Sequence, residues 1–232
     1  MNILKFEEFL KSINLGSYRE KYRPIKIVEM DLPKNIQAIA ILYEIYWDKK
    51  LFIDYDQFYE KYLDRYENNL EDFRKKIMMC ERCFYFGLPA RIYRTWASLI
   101  TQIHAGYVAE SVFGKGSIEM SAELDHLGAD FRANYKGIKI NFQVKKETRS
   151  REVRVAKQTN KIMEGLFYPI NYKVPTGNIF ENPTRKDGTL RKAYKEFIEN
   201  KNLKRFDNGF VIFTPKIFLE IKNKIDEGVL KP

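Results

Sequence analysis

Asp130, Gln143 and Lys145 place a carboxylate, an amide carbonyl and an ammonium group within one short stretch of this 232-residue chain. Such a set suits metal-assisted hydrolysis of a phosphodiester. Magnesium prefers oxygen ligands and keeps several waters, so Asp130, the Gln143 side-chain oxygen and the Val144 backbone carbonyl can supply a partial shell. The ion would polarise the phosphate and lower the pKa of a bound water, while Lys145 would orient that water or offset developing negative charge.

The three residues can meet only if a strand pair holds them. From Leu127 the hydrophobic pattern takes a period of two, and Ile138, Ile140, Phe142 and Val144 alternate with Lys139, Asn141, Gln143 and Lys145. With Lys136 and Gly137 as the two turn residues of a hairpin, Tyr135 faces Ile138, Arg132 faces Asn141 and Asp130 faces Gln143. Side chains across such a pair sit roughly 5 Å apart, so Asp130, Gln143 and Lys145 converge on one surface. Lys146 has the opposite parity and reads as a phosphate contact.

Around this hairpin the chain divides by pattern. From about Phe6 to Val112 it is mainly helical, with Ile36, Ile39, Ala40, Tyr43 and Trp47 at three-and-four spacing and an aromatic-rich helix over 54–79. Those aromatic stripes are expected in the core. Pro89 is expected to open a further helix that Gly114 and Gly116 end. Later, 169–188 is rich in Pro, Gly and Asn and reads as a long loop, 209–215 reads as a strand, and 189–201 and 215–225 read as helices.

Charge is regional. The net charge is +10, yet residues 131–205 hold 19 Lys or Arg against 7 Asp or Glu, which leaves 22 against 24 elsewhere. An uneven basic region of this kind is the footprint of a polyanion, most often nucleic acid. Lys146, Arg149, Arg151, Arg154, Lys157 and Lys161 follow the strand closely enough to hold phosphates flanking a scissile bond, and arginines there can reach guanine O6 and N7. A second cluster, Arg185, Lys186 and Arg191, joins a loop to a helix start and suits groove or backbone contact.

Cys80 and Cys83 form a lone C-x2-C with no second pair and only two distant histidines, so two reduced thiols on a partly buried helix are expected in place of a zinc site. No apolar run is long enough to span a bilayer and the start lacks a signal-peptide core, so a soluble, cytoplasmic protein is expected.

Asp130, Gln143 and Lys145 together resemble the PD-(D/E)xK nuclease signature, with glutamine in the usual acidic position. The stretch SYREKYRPIKIVEMDLP over 17–33 and the D-x4-D pair Asp125 and Asp130 extend the likeness, and the chain resembles the Taq-type, TCGA-cutting family of type II restriction endonucleases over most of its length. The resemblance implies an α/β (α+β) fold with a PD-(D/E)xK-like core, a central mixed sheet flanked by helices behind a helical amino-terminal half. It implies one nuclease domain over 1–232, helical to about 116, with the catalytic and DNA-binding core beyond. It also implies a homodimer that uses Mg2+, needs no nucleotide cofactor and cuts both strands of a short palindrome in double-stranded DNA. Asp125 and Asp130 take the acidic positions, Lys145 the lysine, and Glu110 is a further candidate metal ligand. A structure-specific nuclease with the same core and a DNA-binding module without chemistry are the alternatives, and an aspartate pair inside a positive region argues against the latter.

Overall fold

The computed structural model describes residues 2–25, 32–147 and 163–230. They fall into two compact units, and the long helix α5 (Glu81–Phe113) contributes its first part to one and its last turns to the other. Among the described residues no helix is long and apolar enough to cross a membrane.

The first unit takes in Met1–His104 and Phe206–Phe210 and is helical. It holds α1 (Asn2–Ser12), α2 (Leu15–Tyr22), a 3-10 turn (Lys34–Ile36), α3 (Ala38–Leu42) running into a π-helical stretch (Tyr43–Asp48), and α4 (Tyr55–Lys76). Asp54 starts α4 with a reciprocal cap, accepting from Gln57 N at 2.9 Å. The aromatic stripes are core as expected: Phe6, Tyr46, Tyr55, Phe58, Tyr62, Phe84 and Trp96 are fully buried. Burying a tyrosine or tryptophan requires a partner for its polar tip. Trp96 Nε1 donates to the Tyr46 hydroxyl at 2.8 Å, which donates to Ile53 O at 2.6 Å, and the Tyr62 hydroxyl donates to Ile36 O at 2.7 Å.

Two expectations are corrected here. Pro89 lies inside α5, not at its start. Proline costs this helix one amide hydrogen bond, in a stretch where Phe84, Leu88, Ala90 and Ile92 are buried and the Tyr55 hydroxyl donates to the Pro89 carbonyl. Cys80 and Cys83 are joined in a disulfide instead of being free thiols. Helix-start geometry sets their Cα atoms 5.4 Å apart, within bridging range.

The second unit takes in Ala105–Arg205 and Val211–Pro232. Its four-stranded sheet has the order β1 (Ile118–Glu119), β2 (Phe131–Tyr135), β3 (Ile138–Glu147), β4 (Leu166–Lys173), with β1 to β3 antiparallel and β4 parallel to β3. A helix, α6 (Ala122–Leu127), connects β1 to β2. After β4 come α7 (Gly177–Glu181), α8 (Lys192–Glu199), the separate antiparallel pair β5 (Leu203–Arg205) and β6 (Val211–Phe213), and α9 (Lys216–Asp226). The expected long loop over 169–188 is therefore corrected at its start, where 169–173 completes β4, and in its middle, where α7 forms. Pro169 is accommodated because, among the described residues, β4 is an edge strand of this sheet.

The oily face of the hairpin is where the sequence put it. Ile140, Phe142 and Val144 are buried together with Phe131 and Ala133. Phe142 stacks on Phe131 at 4.9 Å and meets Phe218 of α9 edge-on at 5.6 Å, while Phe113, the last residue of α5, adds a fourth ring. With that face filled, the opposite face is left for polar side chains.

Candidate active site

The turn at Lys136–Gly137 has positive φ at both residues, 49° and 77°, as a two-residue hairpin of right-handed twist requires. It sets the register as read from the sequence: Tyr135 pairs with Ile138, Arg132 with Asn141 and Phe131 with Phe142. Regular pairing ends there, one residue short of the expected Asp130–Gln143 pair. Asp130 donates its amide to Phe142 O at 2.8 Å, and its Oδ2 accepts from Val144 N at 2.5 Å. Asp130 is thus held at both ends by β3 and lies against the peptide between Gln143 and Lys145.

The D-x4-D spacing acquires a physical reason in α6. Ser121 caps the helix by accepting from Leu124 N at 3.2 Å, and Gly128 ends it at φ 102°, a left-handed conformation that favours glycine. Gly128 N donates to Asp125 O and Ala129 N to Leu124 O, both at 3.0 Å, closing the helix end. The reversal brings Asp125, in the last turn of α6, to Asp130 at the mouth of β2, and the two carboxyls share a hydrogen bond.

Their electrostatics follow from that placement. Asp130 is only 7% exposed, and its carboxyl is pushed up to about 7, first by burial and further by the neighbouring Asp125 charge. The Val144 amide and the Lys145 ammonium pull the other way. Asp125 is also raised by burial, opposed by His126 and by the bond to Asp130. Burial and the nearness of the two acids therefore favour protonation of this pair, most strongly at Asp130.

Parallel pairing adds residues on β4 that the sequence reading missed. Gln143 aligns with Pro169, Lys145 with Asn171 and Lys146 with Tyr172. Tyr172 is pushed up to about 12 by burial and then by the charge of Asp130, which marks it as a neighbour of that carboxylate. Beneath the site Asn141 is wholly buried, accepting from Arg132 Nε at 2.8 Å and donating to Glu164 O at 2.9 Å and Leu166 O at 3.3 Å. One amide ties three strands together under Gln143 and Lys145.

The remaining candidates are distributed as follows. Glu110 lies in the last turns of α5 and its Oε1 accepts from Gly116 N at 3.1 Å, clasping the turn after the helix. Among the described residues no three His, Cys, Asp or Glu side chains gather into a metal cage. Lys145 and Lys146 are exposed near the end of β3. Arg149, Arg151, Arg154, Lys157 and Lys161 lie outside the described residues, as does the 26–31 part of the amino-terminal stretch. Arg185, Lys186 and Arg191 sit together on a small hairpin between α7 and α8.

The arrangement is thus a buried Asp130 beside a half-buried Asp125, with Lys145 exposed near the end of β3. The TaqI restriction endonuclease family model matches residues 3–225, and the chain belongs to that family. It is a type II restriction endonuclease, a site-specific deoxyribonuclease. The type II restriction enzyme TaqI of Thermus aquaticus is 33% identical over 216 residues, covering 90% of this chain and 82% of the relative. A second type II restriction enzyme, from Thermus thermophilus, is 32% identical over 233 residues, covering 96% of this chain and 88% of the relative. No solved structure matches the chain.

Proposed function

We propose that this endonuclease hydrolyses both strands of duplex DNA within the palindrome TCGA, with Mg2+ held by Asp125 and Asp130. The observation that carries the reading is the Asp130 carboxyl, buried against Asp125, fixed on Val144 N and facing the charge of Lys145. The likeness to the two Thermus restriction enzymes supports TCGA. The mixed sheet with acid and lysine on adjoining strands supports a PD-(D/E)xK-type core. The family match runs across both units, which supports one nuclease domain over 1–232.

The residues suit the ion. Magnesium is a hard cation that binds one or two carboxylates, and here burial and the closeness of the two carboxyls raise both above the usual carboxylate range. A divalent cation can take the place of a proton there. When bound, it supplies Lewis-acid polarisation of the scissile phosphate. The Gln143 side-chain oxygen and the Val144 carbonyl are further oxygen donors on the same strand.

The chain's own groups divide the remaining work. Asp130, anchored by Val144 N, fixes the anionic end of the site and cannot swing away. Lys145 holds its ammonium beside that carboxylate, where negative charge grows on the attacked phosphate. Lys146 and the basic residues after it grip flanking phosphates.

One such site cuts one strand. A symmetric double-strand cut therefore takes two chains about a two-fold axis, and a homodimer on DNA follows. The cytoplasm, where duplex DNA is found, is the compartment this reading assigns, and the exposed Cys80–Cys83 bridge is open to reduction there. Digestion of a sequenced plasmid with Mg2+ is expected to give discrete bands ending at TCGA and none on a TCGA-free plasmid. Bands at another palindrome would overturn the specificity, and random nicking would overturn the reading altogether.

A further inference from the structure

Between α7 and α8 the chain forms a small, rigid hairpin that the catalytic machinery does not use. Thr184 bridges to Leu190, Arg185 N donates to Thr189 O at 2.8 Å, and Arg191 N donates to Pro183 O at 2.8 Å. The Asp187 carboxylate turns inward on Thr189, accepting from its N at 3.0 Å and its hydroxyl at 2.7 Å. Arg191, one of the three cations assigned to DNA from sequence, spends its Nε on Asn182 O at 2.8 Å and Thr184 O at 3.2 Å. It is a strut. An aromatic cluster supports the assembly from below: Phe180 meets Phe197 at 5.2 Å and Tyr194 at 6.1 Å, and the Arg205 guanidinium lies over Phe180 at 4.5 Å.

This framework borders an open hollow of about 520 Å3 lined by Asn178, Asn182, Thr184, Arg185, Lys186 and the strut Arg191, with Ile179 the one apolar residue. Asn178, in α7, and Asn182, its C-cap residue, both line this hollow. The lining is cationic, because Lys186 and Arg185 face it while Asp187 is tied to Thr189. A cationic hollow lined by two asparagines and an arginine carries the side-chain types that match purine edges in the major groove: Asn with adenine N6 and N7, Arg with guanine O6 and N7. A mere phosphate grip needs charge alone, and neither a rigid frame nor paired amides.

We propose that this concavity reads bases of the recognition sequence, with Arg185 on a guanine and the Asn178–Asn182 pair on an adenine, Arg191 acting as the positioning residue that holds them. The inference rests on the DNA-cutting reading above, and deepens it by naming the readers.

Selection of randomised duplexes by binding, with calcium in place of magnesium, tests it without any need for cleavage. The wild-type profile gives the reference whatever palindrome it shows, so an error about TCGA is seen separately. Arg185→Ala and Arg185→Lys are both expected to flatten the preference at one guanine position by about tenfold to a hundredfold, the worth of one bidentate pair. Asn178→Ala and Asn182→Ala are expected to flatten one adenine position, and the other positions keep their preference. Replacing that guanine by 7-deazaguanine is expected to weaken wild-type binding and to leave Arg185→Ala unaffected. A uniform loss of affinity that Arg185→Lys restores would make Arg185 a phosphate contact and overturn the proposal. So would unchanged profiles in all four variants, or a wild type that selects no sequence.

Discussion

Asp130 Oδ2 accepts a 2.5 Å hydrogen bond from the backbone amide of Val144, the residue between Gln143 and Lys145. The bond joins the two halves of the site through main chain, so the acid cannot move relative to the lysine strand without breaking the sheet edge. It also holds a carboxyl where solvent barely reaches, and the raised pKa is the consequence. Burial in this position disfavours the charged form of Asp130.

That cost predicts a trade between stability and activity at Asp130. The group titrates at about 7 when folded, against a usual carboxylate value near 4 when unfolded. Between those values the folded state keeps a proton that the unfolded state has lost, so this contribution to stability is full below about pH 4 and is lost as pH rises through about 7. Asn has the same shape, accepts from Val144 N and donates to Asp125, and carries no charge. Asp130→Asn is expected to abolish cleavage and, in EDTA at pH 8, to raise stability by about 2 kcal/mol and the melting temperature by roughly 5 °C, with a clearly smaller gain at pH 5 that fades below about pH 4. Scanning calorimetry at the two pH values checks this, and a lower Tm at pH 8 would contradict it.

Lys145 and Lys146 are neighbours with different duties. Lys145→Ala is expected to lower the single-turnover rate in Mg2+ by roughly a hundredfold, as for loss of one charge-stabilising group. Lys146→Ala is expected to leave that rate near wild type and to weaken binding, reducing the slope of log affinity against log salt by about 0.9. Quench-flow and salt-titrated binding separate the two, and exchanged phenotypes would place the catalytic face on the other side of β3.

The hairpin was legible because its information is local. Lys136–Gly137 turns the chain, the alternation assigns faces, and Asp130 and Lys145 follow by parity. The Asp130–Val144 bond was not legible, since it arises from an offset at the entry to β2 that no side-chain pattern marks. Asn171 and Tyr172 were hidden because β4 pairs with β3 in parallel from a remote part of the chain, and Pro169 disguised an edge strand as loop. The helix carrying Asp125 is only six residues long, yet Ser121 and Gly128, its cap and its stop, were in view and could have disclosed it. Pro89 and the cysteines were misread because a proline inside a buried helix and a bridge across one turn depend on packing and distance.

Asn141 ties β2, β3 and the start of β4 together with no exposed surface. Asn141→Leu would keep the volume but leave the Arg132 Nε and the Glu164 carbonyl without their amide partner, Arg132 keeping its ion pair with Glu119. Losing partners for buried polar groups costs on the order of 1–3 kcal/mol each. A melting temperature lower by roughly 5 °C is expected, with earlier amide exchange at 166–168 than elsewhere in the sheet. Exchange mass spectrometry that showed uniform loosening would argue against this strut.

Gly165 is where β4 is brought against β3. Its φ of 100° is one that side chains rarely adopt, and a Cβ there would lie 2.3 Å from Lys139 O and 2.9 Å from Lys139 C, both backbone atoms that cannot yield without moving the strand. Gly188, in the hairpin after α7, has a φ of 78° with nothing within 4 Å of the same built atom. Both sites therefore carry the conformational penalty of positive φ, roughly 1 kcal/mol, and only the first adds a collision. Gly188→Ala is expected to lower the Tm by a few degrees. Gly165→Ala is expected to lower it by at least twice as much and to reduce cleavage as well, because displacing β4 shifts Asn171 and Tyr172 away from Lys145 and Asp130. Equal melting shifts in the two variants, or full cleavage by Gly165→Ala, would show that the catalytic face does not depend on the seating of β4.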